Sequence, residues 1–145
     1  MRSLKMLAAA VGLVSLGLAG SASAAQTNVA VAANFTDAAK DIAAAFKKQS
    51  GHDAVLSFGS TGTLYTQITQ DAPFEILLSA DDERPAKAVK DGLGIEGSTF
   101  TYAVGKLVLW SKTAGVVTGE ETLKADTFAK LSIANPVAAP YGEAA

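Results

Sequence analysis

Three places in the chain put short, uncharged hydrogen-bond donors where an apolar run gives way to helical spacing. Asn34 follows Val29-Ala30-Val31-Ala32-Ala33 and precedes the run from Asp37 to Ser50. Ser60 and Thr61 sit in Gly59-Ser60-Thr61-Gly62, between an apolar stretch at Asp53–Phe58 and a helical run from Thr63 to Gln70. Tyr141-Gly142 follow Leu131–Ala134 and Asn135-Pro136 and lead into Glu143. At a helix start the first backbone N–H groups lack partners within the helix, and the helix dipole places partial positive charge there. Each place is therefore one where an anion can settle. Amide, hydroxyl and backbone N–H all donate, and none carries a full positive charge. The chemistry this suits is capture of a small tetrahedral dianion by donors converging at about 2.7–3 Å. Hydrogen bonds to a charged group are worth roughly 1.5–3 kcal/mol each. About five or six of them suffice for micromolar binding, about −8 kcal/mol, after ordering costs. A donor-only lining offers nothing to a proton on the ligand, so it favours the dianion. A Ser, Thr or Asn before a helix is ordinarily an N-cap and nothing more. Recurrence at three equivalent positions is what favours a shared site.

The elements that must position these residues alternate. Asn28–Ala33 reads as a buried strand. Thr36–Gln49 reads as a helix with Phe35, Ala38, Ile42, Ala45 and Phe46 on one face. Asp37 in its first turn, Lys47 and Lys48 in its last, and Gly51 beyond them mark its ends. Asp53–Phe58 is a second strand, Thr63–Gln70 a short helix with Leu64, Tyr65 and Ile68 inward, and Asp71-Ala72-Pro73 a break. Phe74–Ser79 is a third strand. Asp81-Asp82-Glu83-Arg84-Pro85 opens another helix, with carboxylates and a proline in the first turn, and Gly92 closes it. Thr101–Ser111 predicts two strand segments broken at Gly105-Lys106, Thr122–Lys130 a weak helix, and Leu131–Ala134 a further strand. Strand–helix alternation with short connections predicts an α/β fold with a mostly parallel sheet flanked by helices. In such a sheet all three donor loops fall at the carboxyl ends of strands, where ligands settle in open α/β folds.

Residues 1–24 have the form of a secretory leader. Arg2 and Lys5 precede an apolar, Gly- and Ala-rich run from Met6 to Gly20, and Ala22-Ser23-Ala24 fits a small-x-small cleavage pattern. The run is too short for a membrane span, and no lipid-bearing cysteine follows. Removing 24 of 145 residues leaves about 120, one domain's worth. The whole chain has net charge −2, and two of its cations lie in the leader. The remainder is mildly acidic, against the basic face of a nucleic-acid binder. With no cysteine, disulfides and thiolate metal sites are excluded, so an ordinary core must supply stability.

Four segments, in order, resemble the molybdate-binding proteins of bacterial ABC importers. They are Val29-Ala30-Val31-Ala32-Ala33-Asn34-Phe35-Thr36, Phe58-Gly59-Ser60-Thr61-Gly62-Thr63-Leu64-Tyr65, Leu78-Ser79-Ala80-Asp81, and Asn135-Pro136 through Pro140-Tyr141-Gly142. The resemblance covers essentially all of the chain after the leader. It implies a two-lobed periplasmic binding protein fold of type II, with residues 25–104 as the first lobe and 105–145 as the start of an incomplete second. It implies molybdate or tungstate held in the cleft without a cofactor. The ligand set carried over is Asn34 through its amide, Thr61 through its hydroxyl, and the Tyr141 loop through backbone N–H, with Ser60 ranked behind them. Family members carry Ser where Thr61 stands, and Thr keeps the hydroxyl. They also continue well past the position of Ala145 and draw further contacts from there. The remaining implications are a monomeric, non-enzymatic carrier in the periplasm that hands its anion to an inner-membrane permease.

Competing readings attach to particular residues. Another tetrahedral oxyanion, such as sulfate, would suit the same donors. An exported hydrolase using Ser60 or Thr61 would need a base, and His52 is the one histidine; Gly59-Ser60-Thr61-Gly62 also departs from the nucleophile elbow. Asp81, Asp82 and Glu83 form a carboxylate set that could suit a hard cation, but their place at a helix start favours capping. Lys106 with Trp110 reads better as a strand crossing between lobes, with its Trp packed, than as a stacking site. Glu120 and Glu121 read as solvated loop charges.

Overall fold

A computed structural model describes residues 24–125 and 128–145. The leader expected over residues 1–24 lies, apart from Ala24, outside the described residues. Three parallel strands form a sheet of order β2-β1-β3: β1 (Gln26–Ala32), β2 (Asp53–Gly59) and β3 (Ile76–Leu78). β1 is central, so both of its faces are covered, and Val29 to Ala32 are all buried. This is why it reads as a continuous apolar run rather than an alternating one. Val29 and Val31 pack with Ala39, and Phe35, Ala54, Leu56 and Leu78 close around them.

Register places the strand ends together. Ala32 pairs with Gly59 and Val31 with Leu78. The loops that follow the three strands therefore leave one edge of the sheet side by side, as the parallel reading requires.

A 3-10 turn, Ala33–Phe35, joins β1 to α1 (Thr36–Ser50). Asp37 lies in the first turn of α1, Lys47 and Lys48 in its last, and Gly51 ends it in the left-handed region at φ 76°. α2 (Thr61–Ile68) begins two residues earlier than its periodicity suggests, because Ser60 caps it. Its Leu64 is buried against Gly59, where an added Cβ would meet the leucine at 3.3 Å. α3 spans Glu83–Lys90, and short helices α4 (Glu121–Ala125) and α5 (Pro140–Glu143) follow. Among the described residues no helix is long and apolar enough to cross a membrane.

Several expectations fail for stated reasons. On α1 only Ala39 is buried, while Ile42 is 58% and Phe46 43% exposed. The helix rests mainly over the edge strand β2 rather than over β1, so the outer part of its apolar stripe overhangs the sheet. Phe46 packs instead on His52, at 6.5 Å between ring centroids. Thr101–Ser111 and Leu131–Ala134 form no strands. They have strand-like composition, but among the described residues no neighbouring strand completes a ladder with them, and a strand exists only through its partner. Trp110, expected to be packed, is 76% exposed for the same reason. The helix expected over Thr122–Lys130 is limited to Glu121–Ala125 among the described residues; Glu120 and Glu121 are solvated as expected and both accept from Lys124, but Glu121 opens this helix rather than lying in a loop.

Candidate functional site

The edge where the three strands end carries Asn34, Ser60 and Thr61; the Tyr141 loop, expected to follow a strand at Leu131–Ala134, follows none and joins this edge through the Gly62–Ala138 bond. Asn34 lies inside the 3-10 turn after β1 and is exposed. It is not a helix cap: Phe35 holds the cap position of α1, with no side-chain cap bond. Among the described residues the Asn34 amide makes no hydrogen bond, so its donors face outward uncommitted.

Ser60 is a cap. Its Oγ accepts from the Thr63 backbone N–H at 3.2 Å and lies 2.8 Å from the Thr63 hydroxyl. The ordinary capping role thus occupies much of Ser60's capacity. Thr61 differs. It is 1% exposed, and its Oγ1 accepts from the Ala80 backbone N–H at 3.1 Å. With an acceptor role already filled from inside the protein, the hydroxyl proton is left to donate.

The first N–H groups of α2 can be accounted for one by one. Gly62 N–H goes to the Ala138 carbonyl at 3.0 Å, and Thr63 N–H to Ser60. Thr61 N–H alone of these three has no partner among the described residues.

The Gly62–Ala138 bond also seats the segment Asn135–Tyr141 on the start of α2. That approach needs glycine, because a Cβ at Gly62 would sit 3.0 Å from the Ala138 carbonyl oxygen. The segment is turned on itself by Asn135, whose Oδ1 accepts from Val137 N–H and whose carbonyl accepts from Ala138 and Ala139. In α5, Gly142 and Glu143 N–H both bond the Ala139 carbonyl. Pro140 has no N–H, so Tyr141 N–H is the remaining donor of that turn.

Two further residues were missed. Ser79, immediately after β3, is buried and exchanges hydrogen bonds with Asp81. Tyr102 donates from its hydroxyl to the Ser79 carbonyl at 2.7 Å and packs its ring on Phe35, centroids 5.1 Å apart and planes at 56°. Burial pushes the Tyr102 hydroxyl above the usual tyrosine range, and the neighbouring Tyr141 adds to that. It stays protonated, and a donor, at any physiological pH. The tie between Ser79 and Tyr102 spans twenty-three residues, so no local pattern marks it.

A cavity of about 1180 Å³ opens between β3, α3 and the segment 98–104, with Asn34, Ser79, Tyr102 and Tyr141 among its lining. It is far roomier than a tetrahedral oxyanion, and most of its wall is apolar. Only the end near the strand tips suits an anion. Asn34 and Tyr141 line this cavity; Ser60 and Thr61 do not, Thr61 standing behind Ala80. A smaller space of about 450 Å³ adjoins it across Ala80, Asp81 and Tyr141.

The alternative chemistries lose their parts. His52 Nδ1 accepts from Ala25 N–H at 3.1 Å, pinning the chain just before β1. It precedes β2 whereas Ser60 follows it, and seven strand residues span about 20 Å, so His52 does not reach Ser60. Asp81 Oδ1 accepts from Arg84 N–H at 2.9 Å and its Oδ2 from the Arg84 guanidinium at 2.5 Å. This is the capping role foreseen for the acidic run, carried by Asp81 alone. Among the described residues no group of His, Asp and Glu is placed to hold a metal ion.

The chain is 55% identical over 137 residues to the molybdate-binding protein ModA of Azotobacter vinelandii, an alignment covering 92% of this chain and 54% of that one. It is 49% identical over 144 residues to ModA of Rhodobacter capsulatus, covering 99% and 57%. The chain spans about half the length of these curated relatives. Among solved structures, a periplasmic molybdate-binding protein of Azotobacter vinelandii superposes with a TM-score of 0.77 at 42% identity, over 81% of this chain and 52% of that one. The family model for bacterial extracellular solute-binding proteins matches residues 27–145, and the chain belongs to that family.

Proposed function

We propose that the chain is a periplasmic solute-binding protein that captures molybdate, or tungstate, and presents it to an inner-membrane ABC permease. The observation that carries this reading is a set of neutral donors at the strand ends: the Asn34 amide, uncommitted on the cavity wall, and behind Ala80 the buried Thr61 hydroxyl, whose acceptor role is filled by Ala80 N–H. The Thr61 N–H and the Tyr141 N–H are the further uncommitted donors, and Ser60 adds what its cap leaves over. The names of the relatives support the choice of molybdate among tetrahedral anions.

In this reading the anion needs no cofactor and undergoes no chemistry. Residues 25–104 form one lobe and 105–145 begin a second, and closing of the Tyr141 loop on the anion is the signal that the permease reads. Desolvation of the dianion is offset by hydrogen bonds to neutral dipoles. The carrier acts as a monomer and is exported by residues 1–24.

Calorimetric titration of the chain with molybdate, tungstate and sulfate at neutral pH tests the proposal. Molybdate and tungstate should bind with micromolar or tighter affinity, about −8 kcal/mol, and sulfate at least about tenfold more weakly, a gap of about 1.4 kcal/mol. Sulfate binding as tightly as molybdate overturns the choice of anion. No heat from any of the three overturns the site.

A further inference from the structure

We propose that Tyr102 is a positioning residue that sets the spacing of the anion-binding loops, and with it the discrimination between large and small tetrahedral anions. The inference rests on the oxyanion-binding reading above and goes beyond it by naming a residue outside the ligand set. Tyr102 touches two of the three strand-end loops at once. Its hydroxyl holds the Ser79 carbonyl at 2.7 Å, and the next residue, Ala80, is the one whose N–H bonds Thr61. Its ring packs on Phe35, the neighbour of Asn34. One side chain therefore couples the amide donor after β1 to the hydroxyl donor at the start of α2, through the loop after β3.

The same segment also meets the fourth loop. Three residues on, Gly105 lies against the Tyr141 hydroxyl so closely that any Cβ there would overlap it. Tyr102 and Gly105 thus form a strut from the sheet edge to the Tyr141 loop. Neutral donors have no long-range pull on the ligand, and selection by size needs their separation held to a few tenths of an ångström. Among the described residues no backbone ladder extends across the loops at that edge, so the burden falls on side-chain ties such as this one.

Tyr102→Phe keeps the ring and its contact with Phe35 and removes only the tie to Ser79. A buried acceptor left unpaired is worth about a tenfold change in equilibrium. The ratio of molybdate to sulfate affinity should fall by roughly that factor, while the melting curve stays cooperative. Tyr102→Leu, which also loses the ring contact, should lower the ratio further. Both variants and the parent chain are titrated with molybdate and with sulfate. A parent that binds molybdate, with variants whose two affinities fall in step or not at all, overturns the role of Tyr102 and leaves the binding function standing. A parent that binds neither anion overturns both.

Discussion

Thr61→Val replaces a hydroxyl by a methyl at nearly constant volume, in a side chain that is 1% exposed. Two separate quantities should change. The Ala80 N–H, 3.1 Å from Oγ1 in the parent, loses its acceptor in a partly buried setting. An orphaned donor of this kind costs about 1–3 kcal/mol, so the melting temperature should fall by several degrees, at about 4–8 °C per kcal/mol for a domain of this size. Independently, the anion loses one hydrogen bond from a neutral donor to a charge, roughly 1.5–3 kcal/mol, which is about 10- to 150-fold in Kd. Calorimetry with molybdate reads the second quantity and a thermal melt the first. Thr61→Ser supplies the control. It keeps the hydroxyl and gives up one buried methyl, about 0.8 kcal/mol, so stability should drop slightly while affinity stays within about threefold of the parent. If the valine variant melts lower yet binds molybdate as the parent does, Thr61 is only a brace for β3, and the donor reasoning fails. If it binds weakly and the serine variant binds just as weakly, the effect is distortion of the loop rather than loss of a donor.

Asn34→Ala should leave the unfolding free energy within about 0.5 kcal/mol of the parent, as for an exposed side chain with no internal bond. It should weaken molybdate about 10-fold or more, the reverse of the balance expected at Thr61. Gly62→Ala puts a Cβ 3.0 Å from the Ala138 carbonyl oxygen. Backbone does not yield as a side-chain tip does, so the segment Asn135–Tyr141 should lift from α2, seen as faster amide exchange at Gly62 and Glu143 and weaker anion binding. Lys87 and Tyr65 both bond Asp91 and hold its carboxyl below the usual range, and Lys87 is correspondingly raised. A depressed carboxyl stabilises above its unfolded value, about 3.9, and the raised lysine stabilises up to the unfolded lysine value, about 10.4. The link between α2 and α3 should therefore be constant from about pH 5 to 9 and lost as the pH falls below about 4. In Asp91→Asn the part of the acid destabilisation due to this pair should vanish. A parent and variant with identical acid limbs would remove Asp91 from the account.

How much of this was legible in the sequence depends on how local each cause is. Val29 to Ala32 announced a central strand because burial on both faces leaves no polar position to interrupt the run. Ser60 announced a helix start because capping acts over three residues, here Ser60 to Thr63. The alignment of the Asn34 loop with the Ser60-Thr61 loop followed from parallel pairing alone, and the register bears it out; the Tyr141 loop follows no strand, because Leu131–Ala134 has no ladder partner, and it reaches the same edge through the Gly62–Ala138 bond. By contrast, Thr101–Ser111 carries the residues of a strand without a partner to make it one. The apolar stripe of α1 was visible, but its offset towards β2 was not, so Ile42 was placed inward when it faces solvent. The filling of Thr61's acceptor site comes from Ala80, nineteen residues away, and the tether of Ser79 from Tyr102, twenty-three away. No window on the chain contains both ends of either bond.

A dianion site built from neutral donors has an electrostatic hazard in rim carboxylates: Asp82 lines both spaces beside Ala80, Glu75 the larger, Glu83 and Glu143 the smaller, and Asp81 lines both as well. Left bare in a medium of reduced dielectric, its charge would oppose an arriving anion by several kcal/mol at contact distances. The sequence answers this within one turn of helix. Arg84 sits 2.5 Å from Oδ2, in a pair whose side chains are 21% and 13% exposed, and the Arg84 N–H and Ser79 hydroxyl take up Oδ1. With its charge matched and its lone pairs occupied, Asp81 acts on the loop after β3 as a clamp rather than on the cleft as a repeller. The guanidinium is in turn committed to Asp81 and is not free to bind anions indiscriminately. Asp82 and Glu83 on the same rim form no ion pair among the described residues, so the converging donors must offset their remaining negative charge at contact distance, where hydrogen bonds to a charged ligand are strongest.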